Sequence, residues 1–204
     1  WYQGESNAHN YEAHEKLFRL LVGSWRENWN DPDLPFYYVQ LSSIDRPSWP
    51  WFRDSQRRLM DAIPHTGMAV SSDYGDSLDV HPKNKRPIGE RLAHWALNRT
   101  YDKKQVVPSG PLFRSVDFRE DAAYVSFDYA DGLHTADGRP IREFEIAETE
   151  GVYYPAKAEV VGNQVKVYSD RVKHPCHVRY AWRPFTRANL VNSQSLPAST
   201  FRSR

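Results

Sequence analysis

Pro35-Phe36-Tyr37-Tyr38-Val39-Gln40-Leu41 is a short, nearly continuous apolar run, and Gly67-Met68-Ala69-Val70-Ser71-Ser72 repeats its texture further along. Such runs are what a strand buried on both faces of a parallel sheet looks like. A segment with helical spacing precedes each. Between Ala8 and Trp29 the apolar residues Tyr11, Phe18, Leu21, Val22, Trp25 and Trp29 share one face, with Ser6 or Asn7 placed to cap the start and Asn30-Asp31-Pro32-Asp33 to end it. Trp51, Phe52, Ser55, Leu59, Met60 and Ile63 form a second face. A third helix is expected after His81-Pro82, with Pro82 in its first turn and Ile88, Leu92, Trp95 and Ala96 on its face. Trp1 to Gln3 reads as one more strand, turning at Gly4. Helices alternating with buried strands predict an α/β layer with a mainly parallel sheet, of which about three strands are present.

The texture changes after Tyr101, and the boundary is expected between Asn98 and Val107, giving units 1–103 and 104–204. Short β-branched and aromatic segments follow: 112–118, 123–129, 142–147, 156–161, 164–169 and 178–182. Asp131-Gly132, Asp137-Gly138 and Gly162-Asn163 punctuate them, the last as a two-residue hairpin loop. Six such strands predict an antiparallel β-sandwich. Ala188 to Arg204 shows no periodicity.

Composition narrows the partners. With 27 basic and 26 acidic residues among 204, the formal net charge is +1. The whole-chain field therefore gives no attraction for nucleic acid or an anionic membrane. No apolar run is long enough to span a bilayer. One cysteine, Cys176, excludes an internal disulfide and a cysteine-pair metal site. Beside Pro175 it reads as a small packing residue.

Two places carry candidate chemistry. At Gln3-Gly4-Glu5-Ser6-Asn7 a tight turn leads into a helix, where backbone amides, the helix dipole and the Gln3 or Asn7 side-chain amide suit developing negative charge. An ordinary strand-to-helix turn is the alternative. Asp73, Asp76, Asp79 and His81 crowd the loop beyond the second buried run, past a strand's carboxyl end, where open α/β sheets bind ligands. A neutral His accepts a hydroxyl proton, and an Asp on its other nitrogen fixes the tautomer. A solvated acidic loop is the alternative, and the ligand spacing matches no metal motif. Arg53 and Gln56 share a helix face and either reach a carboxylate or sugar hydroxyls, or hold a neighbouring loop. His9 and His14 read as surface residues.

These strings resemble the sialate O-acetylesterase family of the SGNH (GDSL-like) hydrolases. Trp1-Tyr2-Gln3-Gly4-Glu5 is similar to its Trp-x-Gln-Gly-Glu block, and Asp79-Val80-His81-Pro82 with Lys85 and Gly89-x-Arg91-Leu92 to its catalytic-histidine block. Leu34-Pro35-Phe36, Val39-Gln40-Leu41, Arg53-x-x-Gln56, Gly110-Pro111, Phe144-Glu145-Ile146-Ala147, Val178-Arg179-Tyr180-Ala181-Trp182 and Leu196-Pro197-Ala198 extend the likeness over nearly the whole chain.

The resemblance implies part of a three-layer αβα hydrolase domain followed by a β-sandwich, acting as a serine esterase on O-acetylated sialic acid or a related sugar without metal or other cofactor. His81 would be the general base and Asp79 its orienter, with Asp76 or a backbone carbonyl as the alternative, since many SGNH enzymes space the pair Asp-x-x-His. Gln3, Gly4, Glu5, Asn7, Arg53 and Gln56 would surround the oxyanion and substrate. The family's nucleophilic Ser lies in an earlier Gly-Asp-Ser-like block with no counterpart here. On that basis the chain is expected to be the C-terminal portion of a longer enzyme, inactive alone, with its missing N-terminal portion as a partner and a sheet exposed to self-association. Its signal peptide would lie upstream, for a periplasmic or secreted location. Two alternatives accompany this: an acetyl xylan-type esterase, and a carbohydrate-binding or scaffold β-sandwich using Tyr153, Tyr154 or Trp182.

Overall fold

A computed structural model describes residues 1–203. After a 3₁₀ turn at Glu5–Asn7 the chain forms α1 (Tyr11–Trp29), β1 (Phe36–Val39), α2 (Trp49–Ala62), β2 (Thr66–Ala69), a second 3₁₀ turn (Ser72–Tyr74) and α3 (Arg86–Arg99). The two apolar runs that decide the fold pair in parallel, Phe36 beside Thr66 through Val39 beside Ala69. Trp1 to Gln3 is not a regular strand. Trp1 alone joins the pair: its amino group donates to the Tyr37 carbonyl at 2.8 Å and its carbonyl accepts from Val39 at 2.9 Å.

Period-2 alternation sends the strand residues to two faces. Phe36, Tyr38 and Met68 pack with Phe18 and Val22 of α1 and Leu59 of α2. Val39 and Ala69 pack with Ile88 and Leu92 of α3. Both faces of the parallel pair are thus covered by helices, as its unbroken hydrophobicity requires.

The helix starts differ from expectation. Asn10 caps α1 by accepting from the Ala13 amide at 3.2 Å, while Ser6 and Asn7 stay outside in the 3₁₀ turn. In α3 the first-turn proline is Pro87, and Pro82 lies in the preceding loop. Burial on α1 centres on His14, Phe18 and Val22, whereas Trp25 is 44% and Trp29 72% exposed. The surface position expected of His14 is therefore wrong. Its ring lies 4.4 Å from that of Phe52 and 5.7 Å from that of Phe18, and its Nδ1 has no hydrogen-bond partner.

Burial holds His14 below the ordinary imidazole value, against a smaller opposing pull from Glu15. The unfolded chain takes up this proton near the ordinary value and the folded chain only at lower pH. The associated stability is thus complete above about pH 6.5 and declines as pH falls toward the lower folded value. His14→Phe is expected to shrink the difference in urea midpoint between about pH 8 and about pH 5.5.

The second half forms β3 (Leu112–Arg119), β4 (Ala122–Asp128), β5 (His134–Thr135), β6 (Phe144–Ala147), β7 (Tyr154–Pro155), β8 (Lys157–Val161), β9 (Gln164–Tyr168), β10 (His177–Tyr180), β11 (Leu190–Val191) and β12 (Phe201–Arg202). Two four-stranded sheets, β3-β4-β9-β8 and β12-β10-β6-β7, contribute to one buried cluster that includes Val125, Phe127, Ile146, Val165, Val178 and Phe201. Every strand pair in these sheets is antiparallel. Gly162 and Asn163 form the loop between β8 and β9, as their pairing signal predicts.

The aperiodic tail turns out to be structural: β12 pairs with β10, β11 with β5, and Phe201 is fully buried. Arg204 lies outside the described residues. Cys176 is exposed rather than packed.

α2 is buried on nearly every side because it lies between the parallel pair and the second half of the chain. Its buried residues include Arg53, Asp54, Gln56 and Arg57. The Arg53 guanidinium donates to Ser43 Oγ at 3.1 Å and to the carbonyls of Ala181, Arg183 and Pro184. Trp51 meets Trp182 edge to face at 5.1 Å, and Arg202 lies over Trp51 at 4.3 Å.

Candidate active site

The carboxyl ends of β1 and β2 and the turn after Trp1 open on the same end of the sheet. At the front of this face, Gly4 has φ +144 and its missing Cβ would stand 2.5 Å from the Phe52 ring, so both conformation and space require glycine. Glu5 leads the 3₁₀ turn, half-buried. Gln3 Nε2 donates to Asn7 Oδ1 at 2.7 Å. This contact uses the Asn7 carbonyl oxygen and leaves its amide nitrogen turned away as a donor for another group.

Beyond β2 the chain is tied down before it reaches His81. Arg91 donates to the Val70 carbonyl at 2.6 Å and to both oxygens of Asp73 at 2.7 and 2.6 Å. Asp73 is thus an anchor for the loop base, a use its sequence position did not disclose. Gly75 packs against the Ser43 backbone, where a Cβ would come within 2.3 Å. Asp76 Oδ1 accepts from the amides of Leu78 and Asp79 at 2.9 and 3.3 Å, forming a local turn. No bond from Asp76 to His81 accompanies these, and the two that Asp76 Oδ1 accepts are to its own backbone.

Asp79 is the carboxylate in contact with the His81 ring. Its Oδ1 accepts from the His81 amide at 2.9 Å and lies 3.0 Å from His81 Nδ1, while the His81 side chain is 80% exposed. The backbone bond first, then the side-chain bond and charge of His81, hold the Asp79 carboxyl below the usual range. With Nδ1 engaged by a carboxylate, Nε2 is the nitrogen offered to solvent.

The loop and the first turn share a seat. Val80 and Tyr2 pack against the cluster of Ala8, Leu41, Ile44, Trp49 and Phe52. Lys85 bonds the Pro82 carbonyl at 2.9 Å and stands 5.6 Å above the Tyr2 ring. Tyr2 and Lys85 are the supports that reasoning from single residues overlooked, although both lie within the quoted motifs.

Arg53 and Gln56 are not on this face. Arg53 is fully buried on the contacts described above, and Gln56 accepts from the Leu41 amide at 2.8 Å and donates to the Val39 carbonyl at 3.0 Å. The loop-holding use is the one observed, because every bond named uses up a group that substrate would need. Two of the three candidate aromatics of the second half are likewise occupied. Trp182 is 8% exposed against Trp51, and Arg179 covers the Tyr153 ring at 3.9 Å. Among the described residues no group of three or more His, Cys, Asp or Glu could hold a metal ion, and no helix is long and apolar enough to cross a membrane.

The chain is similar to known carbohydrate esterases. Residues 1–98 match the family model for carbohydrate esterases described as sialic acid-specific acetylesterase. The sialate O-acetylesterase of Rattus norvegicus is 24% identical over all of this chain and 43% of its own length, and that of Homo sapiens 26% identical over 98% and 44%. The crystal structure of a carbohydrate acetylesterase from Xanthomonas citri superposes with TM-score 0.93 at 36% identity, over all of this chain and 49% of that one. The chain therefore spans less than half the length of these relatives. Trp1–Asn7 and the Asp79–His81 loop both lie inside the region, residues 1–98, that is similar to the sialic acid-specific acetylesterase family of carbohydrate esterases.

Proposed function

We propose that this chain supplies the histidine and acid of a Ser-His-Asp esterase that removes O-acetyl groups from sialic acid or a related sugar. The reading rests on one observation: an exposed His81 held through Nδ1 by Asp79, beyond the carboxyl ends of a parallel pair. In this reading His81 Nε2 accepts the proton of a serine hydroxyl as that oxygen attacks the acetyl carbonyl, then returns it to the departing sugar oxygen. Asp79 holds the tautomer and stabilises the imidazolium. The Gly4 amide and the Asn7 side-chain amide, oriented by Gln3, donate to the oxyanion, with Glu5 beside them.

The serine comes from polypeptide beyond this chain, as part of a three-layer αβα SGNH domain to which residues 1–103 contribute; residues 104–204 form the β-sandwich unit. Trp1, Leu17, Leu20, Trp25 and Trp29, between 43% and 72% exposed, are the surface on which that polypeptide, or a second copy of this chain, would rest.

The chain alone is expected to hydrolyse 4-nitrophenyl acetate no faster than free imidazole does. Turnover well above imidazole that survives His81→Ala would overturn the assignment.

A further inference from the structure

The turn at Gly4 and the loop at His81 come from distant parts of the chain, and among the described residues no hydrogen bond joins residues 1–7 to residues 76–85. Their separation is therefore set by packing and by whatever single groups reach across.

Tyr2 is the surface that both share. It lies two residues ahead of Gly4, and its ring packs with the cluster of Ala8, Leu41 and Phe52 and with that of Val39, Ala69 and Ile88. The ring is thereby seated on the carboxyl ends of β1 and β2 and on the first turn of α3. Val80, the neighbour of His81, rests on the first of these clusters.

Lys85 reaches across. Its ammonium donates to the Pro82 carbonyl at 2.9 Å, one residue past His81, and stands 5.6 Å from the centre of the Tyr2 ring. That is within the range of a cation–π contact. Although Lys85 is the residue ahead of α3, its side chain makes no capping bond, and it has no carboxylate in ion-pair reach among the described residues. A cation with no other engagement thus bridges the residue after the histidine and the ring before the glycine.

We propose that Lys85 is a positioning residue, holding the His81 loop at a fixed distance from the Gly4 turn through Tyr2. The kinetic consequence rests on the esterase reading; the structural one does not. In that reading His81 Nε2 must reach a serine oxygen while the Gly4 amide reaches the oxyanion formed on the same acetyl group. A misplacement of about 1 Å between them costs rate, on the order of 10²-fold, without weakening the binding of a small ester.

Lys85→Met keeps most of the stem and removes the charge. Because Lys85 is exposed, the unfolding midpoint of the chain should not change. Amide order parameters at Val80 and His81 are expected to fall from about 0.85 to below about 0.6, and Lys85→Arg to restore them. In the protein extended to the full length of its relatives, Lys85→Met should lower kcat for 4-nitrophenyl acetate about tenfold at unchanged KM. Tyr2→Leu should do the same, with the double variant no worse than either single one. On a His81→Ala background Lys85→Met should have no further effect. Unchanged order parameters, additive losses, a raised KM at constant kcat, or an equal loss on the His81→Ala background would each overturn the proposal. If His81→Ala itself leaves the rate intact, the esterase reading falls, and the order parameters still decide whether Lys85 holds the loop.

Discussion

In the protein extended to the full length of its relatives, His81→Ala is expected to lower kcat/KM for an acetyl ester by about 10³-fold or more. The residual rate would come from oxyanion donors and binding alone. The expectation follows from exposure and engagement together, because the His81 ring is open to solvent on one nitrogen and bonded by Asp79 on the other. Asp79→Asn should cost less, about 10- to 100-fold. Asparagine can still accept the imidazole N–H but lacks the charge that stabilises the imidazolium, and at a solvent-exposed pair that charge is partly screened. The two His81 bonds that hold Asp79 below the usual carboxylate range also keep it ionised throughout any ordinary assay.

Asp76→Asn separates the two candidate acids. The Asn carbonyl can accept the same bonds from Leu78 and Asp79, so activity should stay within about threefold. A loss for Asp76→Asn as large as that for Asp79→Asn would make Asp76 the orienter and refute the assignment of Asp79.

The second large effect is on stability. Arg53→Ala is expected to lower the free energy of unfolding by about 3–5 kcal/mol, read as a shift in urea midpoint. Burial pulls the Arg53 guanidinium down to about 9, which leaves it charged at neutral pH. Ser43 Oγ and the carbonyls of Ala181, Arg183 and Pro184 solvate it in place of water. Its removal would leave buried acceptors without donors and a void between α2 and the second half. Arg53→Lys should recover less than half of the loss, because one ammonium cannot reproduce the spread of a planar fork. A change below about 1 kcal/mol for Arg53→Ala would show that these bonds contribute little.

Much of this was legible from local pattern. The runs at Pro35–Leu41 and Gly67–Ser72 declared themselves as buried strands because both of their faces meet helices. Gly162-Asn163 declared its hairpin because loop length and residue type are local properties. Asp79 and His81 could be paired from their spacing, but that the Asp76 carboxylate turns back on its own loop was visible only in the path of the chain.

What failed depended on distant neighbours. His14 reads as polar, and only the approach of Phe52 from α2 makes its position a core site. Arg53 looked like a ligand-binding residue since nothing in its own helix announces carbonyls about 130 positions later. The tail escaped notice because β11 and β12 are two residues each, too short for alternation to register. Ser6 and Asn7 are reasonable capping types, yet the 3₁₀ turn held by the bond from the Asn7 amide to the Gly4 carbonyl defers the helix to Asn10.

The grip of Arg53 on the segment after β10 has one more consequence. Three of its four acceptors are main-chain carbonyls, which any amino acid presents equally well. The junction at Ala181, Arg183 and Pro184 thus recognises the spacing of the chain as well as its lettering. Over evolutionary time the exposed Arg183 can exchange its side chain while the buried Ala181 cannot, and inserting or deleting a single residue there would throw the carbonyls out of register with one buried cation.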